Sequence, residues 1–271
     1  MTQDWLILSI GNSRLHWAWF QNDRLQASWD TNHLDGTTIQ WLVLSQFNFQ
    51  KCKLLPQGVA LPRWTTTPDL WIASVVPQQM LSWQQYLTVR PITLDQVPLL
   101  GKYKTLGIDR ALSLWGALTH YSGPALVIDG GTALTLTAAD SQKTLIGGAI
   151  LPGLQTQFKA LKQSTAALPQ LDHTNHLPDR WATTTPDAIQ SGILHSVLSG
   201  LEGFILDWIK REPNSSILFT GGDGEWLYQH LEERLSPRLP LGKNNIAVDR
   251  NLLFLGAKAI LWPNYPSTAP N

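Results

Sequence analysis

Short apolar runs broken by glycine and hydroxyl residues alternate along this chain with stretches whose apolar positions recur every three to four residues, a pattern that predicts an α/β protein. Residues 5 to 10 (WLILSI) form one apolar run, GNS breaks it, and residues 15 to 20 (LHWAWF) form a second, so strand, turn and strand are expected, with 25 to 29 continuing the meander. Mixed spacing over 38 to 47 and 78 to 87 predicts helices, and WIASVVP (71 to 77) between them reads as a buried strand ended by Pro77. From Gly107 to Tyr121 the apolar residues Ile108, Leu112, Leu114, Trp115 and Leu118 recur at helical spacing, and Gly123-Pro124 ends that helix.

The second half opens as the first does. ALVID (125 to 129) is a strand, GG a turn, TALTLTA (132 to 138) a strand, and TLIGGAILPG (144 to 153) a strand running into a loop. A helix over 154 to 163, a polar, proline-bearing loop over 164 to 185, a long helix over 186 to 210, a strand into a glycine turn at ILFTGGDG (217 to 224) and a closing helix over 249 to 262 complete the reading. The expected organisation is an N-terminal half over 1 to 121, a C-terminal half over 122 to 262 and a frayed tail over 263 to 271. Thr185-Pro186-Asp187 has the makings of a helix start, with a capping hydroxyl, proline at the first helical position and an acid in the first turn. The helix it opens carries Ala188, Gly192, Ser196 and Gly200 at four-residue spacing, a stripe that lets another helix approach closely, either within the chain or from a second copy.

Composition narrows the class. Of 271 residues 15% are charged, and 20 basic side chains balance 20 acidic ones, which gives neither nucleic acid nor an anionic membrane surface a cationic footprint to meet. The N-terminus has neither the pattern of a signal peptide nor that of a membrane span, and a cytoplasmic protein is expected. The one cysteine, Cys52, excludes an intramolecular disulfide and any Cys-rich zinc site, and is expected to be a small packed hydrophobe. The 13 tryptophans follow no fixed period and read as packing. The acids divide into 15 Asp and 5 Glu, so short carboxylates in turns and at strand ends become the residues to inspect.

Neither glycine turn, Gly11-Asn12-Ser13 nor Gly130-Gly131-Thr132, is followed by helical periodicity, which counts against a Walker-type or dinucleotide-binding loop. A β-turn-β corner can still cradle phosphate through successive backbone N–H groups and nearby hydroxyls. One such corner from each half makes up the phosphate clamp of the actin, hexokinase and Hsp70-like ATPase fold; ordinary hairpin turns are the simpler alternative. In LGIDRALSLWGA (106 to 117), Asp109 and Arg110 sit in the first turn of a helix. They are either a dipole-favoured acid beside a solvated arginine, or a proton acceptor for a substrate hydroxyl beside an anion-holding arginine.

These residues resemble the type III pantothenate kinases. The resemblance runs through nearly the whole chain in order: GNS for the family's D-x-G-N-T, LGIDR for its G-x-D-R, VIDGGTALT for its D-x-G-T-A-x-T, GGAILPG for its G-G-x-I-x-P-G, then STAALP, TTTPDAIQSG and TGGDG. It implies two actin-like halves of the acetate and sugar kinase, Hsp70 and actin, ribonuclease H-like class. It further implies ATP-dependent phosphorylation of pantothenate to 4′-phosphopantothenate, the first step of coenzyme A biosynthesis, by a homodimer.

Residue by residue, the resemblance makes Asp109 the catalytic proton acceptor and assigns Gly107, Ile108, Asp109 and Arg110, with Tyr103 and Thr185, to pantothenate. It assigns Ser9, Ile10, Gly11, Asn12, Ser13, Arg14, Leu15 and His16, with Thr132, to ATP. Asp129 matches an acid that binds a monovalent cation, potassium or ammonium, and magnesium is expected to arrive with ATP. The chain departs from the pattern at Ser9, which stands where the family has an acid; a neutral hydroxyl does not supply that charge. Ser9 therefore motivates an alternative, a catalytically silent nucleotide- or pantothenate-binding regulator on the same fold. A kinase for another small hydroxy acid is a third reading.

Overall fold

Each glycine-broken apolar run becomes a hairpin that includes the central strand of a five-stranded sheet. In the computed structural model, which describes residues 2–64, 66–121, 123–173, 176–235 and 245–264, the chain packs as two units. The first comprises Met1–Pro98, Tyr103–Gly116 and Leu253–Asn271, the second Leu99–Lys102 and Ala117–Leu252. In the first, β1 (Asp4–Ile10), β2 (Leu15–Gln21) and β3 (Arg24–Thr31) form an antiparallel meander, while β4 (Asp69–Ser74) and β5 (Arg90–Pro91) add in parallel beyond β1. The sheet order is β3-β2-β1-β4-β5.

β1 is buried on both faces, which is why WLILSI reads as a continuous apolar run and not as an alternating one. Leu6, Leu8 and Ile10 pack with Ile39 and Leu42 of α1 (Gly36–Leu44) and Trp83 of α2 (Pro77–Gln84). Trp17 stands at the centre of that core, edge-on to Trp83 and Phe49 and stacked on Trp29. On the other face Trp5 lies over Phe20 and Trp262. α3 (Ile108–His120) starts at the predicted LGIDR segment.

The second unit repeats the topology. β6 (Ala125–Gly130), β7 (Ala133–Ala139) and β8 (Leu145–Pro152) form the antiparallel meander, and β9 (Ser216–Thr220) and β10 (Asn245–Val248) add in parallel beyond β6. Its core is mainly aliphatic: Leu126, Ile128, Leu134 and Leu136 meet Leu154 and Phe158 of α4 (Leu154–Gln163) and Leu194, Leu198, Leu201 and Ile205 of α5 (Thr185–Arg211). Among the described residues α5 is the one helix long and apolar enough to cross a membrane, and those four residues of it are buried in this core. The α/β expectation with two actin-like halves holds.

Several details differ from the sequence expectation. Pro77 opens α2 at its first turn, since β4 already ends at Ser74 and a proline N1 loses no helical hydrogen bond. The cap of α5 is Thr184, whose hydroxyl accepts from the Asp187 N–H and donates to the Asp187 carboxylate, so Thr185 is the first helical residue. The helix α6 (Gly224–Leu235) adds to the expected elements, with Trp226, Leu227, Leu231 and Leu235 at helical spacing; β5 and β10, two and four residues long, are too short to leave a pattern. By packing, the closing helix α7 (Leu252–Leu261) belongs mostly to the first unit, whereas chain order had grouped it with the second half. Its Gly256 lies so close to α3 that an added Cβ would stand 1.9 Å from the Leu112 carbonyl. Residues 265–271 of the expected tail lie outside the described residues.

Candidate active site

Four stretches carry the residues singled out above, and each is held by its own unit. In the first unit, β1 delivers Ser9 and Ile10 to a turn closed by a hydrogen bond from Gly11 N–H to the Arg14 carbonyl, at 3.0 Å. Leu15 is buried in β2, Asn12, Ser13 and Arg14 are exposed, and Ser9 is buried at 4% exposure. Two histidines flank the turn. His33 Nε2 lies 3.3 Å from the Asn12 carbonyl, and His16 Nδ1 lies 2.7 Å from Asp30 Oδ1.

The second stretch of the first unit is the start of α3. Gly107 leaves the space that Asp109 occupies, because a Cβ there would stand 2.4 Å from Asp109 Oδ1. The same oxygen accepts from the Arg110 N–H at 2.7 Å, which fixes the carboxylate at the helix N-terminus. Arg110 is buried at 8% exposure, so it is not the solvated arginine of the simpler alternative. Its Nη1 donates to the Tyr103 hydroxyl at 3.1 Å, which gathers Tyr103, Asp109 and Arg110 in one place, while Ile108 packs inward.

In the second unit, the corner after β6 is an interlock of three glycine segments. Gly131 N–H donates to the Ala133 carbonyl, Asp223 N–H donates to the Gly130 carbonyl, and Gly153 N–H donates to the Thr132 carbonyl. A Cβ on Gly153 would stand 1.9 Å from the Gly131 oxygen. Gly221, at φ +81°, is packed against Asp129: a Cβ there would meet Asp129 Oδ1 at 2.3 Å and the Gly130 oxygen at 2.7 Å. A carboxylate and a carbonyl oxygen thus pack against the bare Cα of Gly221, which at its positive φ leaves room for no side chain. No group of three or more His, Cys, Asp or Glu side chains able to hold a metal is present among the described residues. Thr132 is exposed at this corner, and Thr185 is exposed in the first turn of α5.

Next to this corner, burial pushes the Asp223 carboxyl up, with His173 pulling the other way, and burial holds the His173 imidazole below its ordinary value. His173 sits edge-on to Trp226, on which His230 also stacks. Sequence reasoning missed Asp30, His33, Gly153, Gly221 and Asp223 as parts of these corners. The glycines stood in quoted motifs, but what each must leave room for comes from another strand or turn.

Two β-turn-β corners on duplicated sheets, with a carboxylate fixed at a helix start beside a buried arginine, are the build of a small-molecule kinase of the actin-like class. Two solved structures share the fold. The putative Baf family transcriptional activator from Campylobacter jejuni has a TM-score of 0.59 at 20% identity, over 96% of this chain and 98% of that one. A putative 2-dehydro-3-deoxygalactonokinase from Sinorhizobium meliloti has a TM-score of 0.56 at 14% identity, over 98% of each chain.

A family model described as type III pantothenate kinase matches residues 5–207. The type III pantothenate kinase of Nostoc sp. (strain PCC 7120) is 44% identical over 95% of this chain and 94% of its own length. That of Synechocystis sp. (strain PCC 6803) is 42% identical over 94% and 90%. The chain belongs to the type III pantothenate kinase family.

Proposed function

We propose that this member of the family phosphorylates the primary hydroxyl of pantothenate with ATP to give 4′-phosphopantothenate, the entry step of coenzyme A biosynthesis. The observation that carries the reading is the Asp109 site: one carboxylate oxygen is tied to the Arg110 N–H, which leaves the other for the substrate hydroxyl. The hydroxyl gives its proton to Asp109, its oxygen bonds to the γ-phosphorus, and the bond from that phosphorus to the bridging oxygen breaks to release ADP. Arg110, braced by Tyr103, holds the substrate's carboxylate, with Gly107 and Ile108 shaping the seat and Thr185 a further substrate contact.

The β1–β2 corner from Ser9 to His16 and Thr132 of the second corner bind the ATP phosphates, and a divalent ion such as magnesium accompanies the nucleotide. Asp129 holds a monovalent cation, potassium or ammonium, a role that the resemblance of VIDGGTALT to the family's motif supports. The protein works as a homodimer in the cytoplasm, with neither nucleic acid nor membrane as partner. Ala188, Gly192, Ser196 and Gly200 are all exposed on α5, with no atom of another segment within 4 Å of a Cβ at Gly192 or Gly200, so a helix of a second copy can approach there. Neither the fold nor the relatives favour the silent regulatory reading.

Coupled measurement of ADP release tests the assignment. Wild type is expected to turn over only when pantothenate is added, and faster in potassium than in sodium buffer. Asp109→Asn is expected to lower kcat by about 10²- to 10⁴-fold with nucleotide affinity kept. Pantothenate-dependent turnover at the wild-type rate in Asp109→Asn would remove Asp109 from its role.

A further inference from the structure

At the level of the first glycine corner, the meander of the first unit carries one cross-strand row: Ser9 stands opposite His16, and His16 stands opposite Asp30. Residues directly opposite share a face, with Cβ atoms about 4.5 to 5.5 Å apart. The equivalent row of the second unit reads Asp129, Thr135, Ile150. The second unit therefore has its carboxylate on the central strand, immediately before its glycine corner. The first has a hydroxyl there and its carboxylate two strands out, with a histidine between them.

That histidine reaches both ways. Its Nδ1 is 2.7 Å from Asp30 Oδ1, and its Nε2 is 3.5 Å from the point where a Cβ on Gly11 would lie, so the ring edge rests against the backbone of the turn. The His16 and Asp30 side chains are 43% and 48% exposed, open to a ligand, while Ser9 beside them is buried. On the far side of the turn His33 braces the Asn12 carbonyl.

Resting on the reading of this corner as a seat for nucleotide phosphate, we infer that His16 is a direct phosphate ligand and that Asp30 is its positioning residue. Together they supply the charge control that Ser9 lacks. With both ring nitrogens protonated, Nδ1–H donates to Asp30 and Nε2–H donates to a phosphoryl oxygen, and hydrogen bonds between charged groups are about twice as strong as neutral ones. The Asp30 carboxylate orients the ring, as a partner on the second nitrogen does for a working histidine. A carboxylate at position 9 would stand beside the same ring and compete for it, so the serine there accommodates the pair.

The experiment measures equilibrium binding of the non-hydrolysable analogue AMP-PNP with magnesium, and of AMP, which lacks the outer phosphates, alongside kinase kinetics and thermal unfolding. His16→Gln and Asp30→Asn are each expected to weaken AMP-PNP binding about tenfold, the loss of one charge-assisted contact, while AMP binding, the KM for pantothenate and the unfolding temperature stay at wild-type values. In the Asp30→Asn background, Ser9→Asp restores AMP-PNP affinity, because it returns a carboxylate to the row beside His16; in the wild-type background it brings no gain. Wild-type AMP-PNP affinity in both single variants, equal loss of AMP and AMP-PNP, no rescue in the double variant, or a tenfold gain from Ser9→Asp alone would each overturn the inference. Wild type that binds AMP-PNP yet fails to phosphorylate pantothenate would strike the proposed function, while the binding comparison would still decide the role of His16.

Discussion

The two glycine corners occupy the same place in the same topology and are stabilised in different ways. After β6, the corner is held largely by close backbone approach: Gly130, Gly153 and Gly221 lie so near their neighbours that a Cβ on any of them would be crowded. After β1, the turn is one residue longer, closing from Gly11 to Arg14 where its counterpart closes from Gly131 to Ala133, and its supports are the side chains of His16 and His33. The cores behind them differ as well, one built around tryptophan and phenylalanine, the other mainly around leucine and isoleucine. A duplicated fold thus keeps strand order while each copy finds its own way to satisfy a turn. The backbone-built corner resists change, and the side-chain-built corner can be retuned by exchanging residues, as Ser9 and Asp30 illustrate.

Substitutions of matching size put this contrast to the test. Gly153→Ala is expected to have the largest effect, since its Cβ would fall 1.9 Å from a carbonyl oxygen that has no rotamer to escape into. A cost of about 3 kcal/mol or more and a fall in unfolding temperature of about 10 °C should be seen by calorimetry. Gly11→Ala meets nothing closer than 3.3 Å, the Arg14 carbonyl oxygen, and leaves His16 in ordinary van der Waals contact, so a cost of about 1 kcal/mol or less is expected. Equal destabilisation by the two alanines would erase the distinction between the corners.

The smallest expected effect is a dependence on pH confined to the second corner. Burial holds the folded pKa of His173 below its unfolded value of about 6.5, so the unfolded chain takes up the proton more readily. Stability is expected to fall as pH drops through that value toward the folded one, and His173→Gln should flatten this slope in unfolding scans between pH 7 and pH 5.5. Asp223 works in the opposite sense at lower pH, because its raised folded pKa lets the native state bind a proton first. An unchanged slope in His173→Gln would place the sensitivity elsewhere.

Much of the fold was legible because it is written in local pattern. WLILSI-GNSR-LHWAWF and ALVID-GG-TALTLTA each spell a hairpin within twenty residues, and the helical spacing after Gly107 is plain. LGIDR likewise announced Asp109 and Arg110 as neighbours in a helical first turn. The buried state of Arg110 and its bond to the Tyr103 hydroxyl were not legible, since both depend on what packs over the turn. The cap of α5 was misplaced by one residue because Thr184 and Thr185 are identical side chains, and the geometry of Asp187 three residues on decides between them.

By its residues alone the sequence determined the α/β class, the pair of β-turn-β corners, the absence of an intramolecular disulfide, an aspartate in a helical first turn at Asp109 and the resemblance to type III pantothenate kinases. These follow from local periodicity, from residue type and from motifs read in order. Tertiary structure decided which carboxylate reaches the first corner, which glycines are crowded in the second, and that the closing helix packs with the first unit. The reason is physical: strand register brings Asp30 to His16 across 14 residues of chain, and close packing brings Gly153 and Gly221 to a turn at Gly131. Such contacts depend on how distant segments pair, and the residues themselves carry no local mark of their partners.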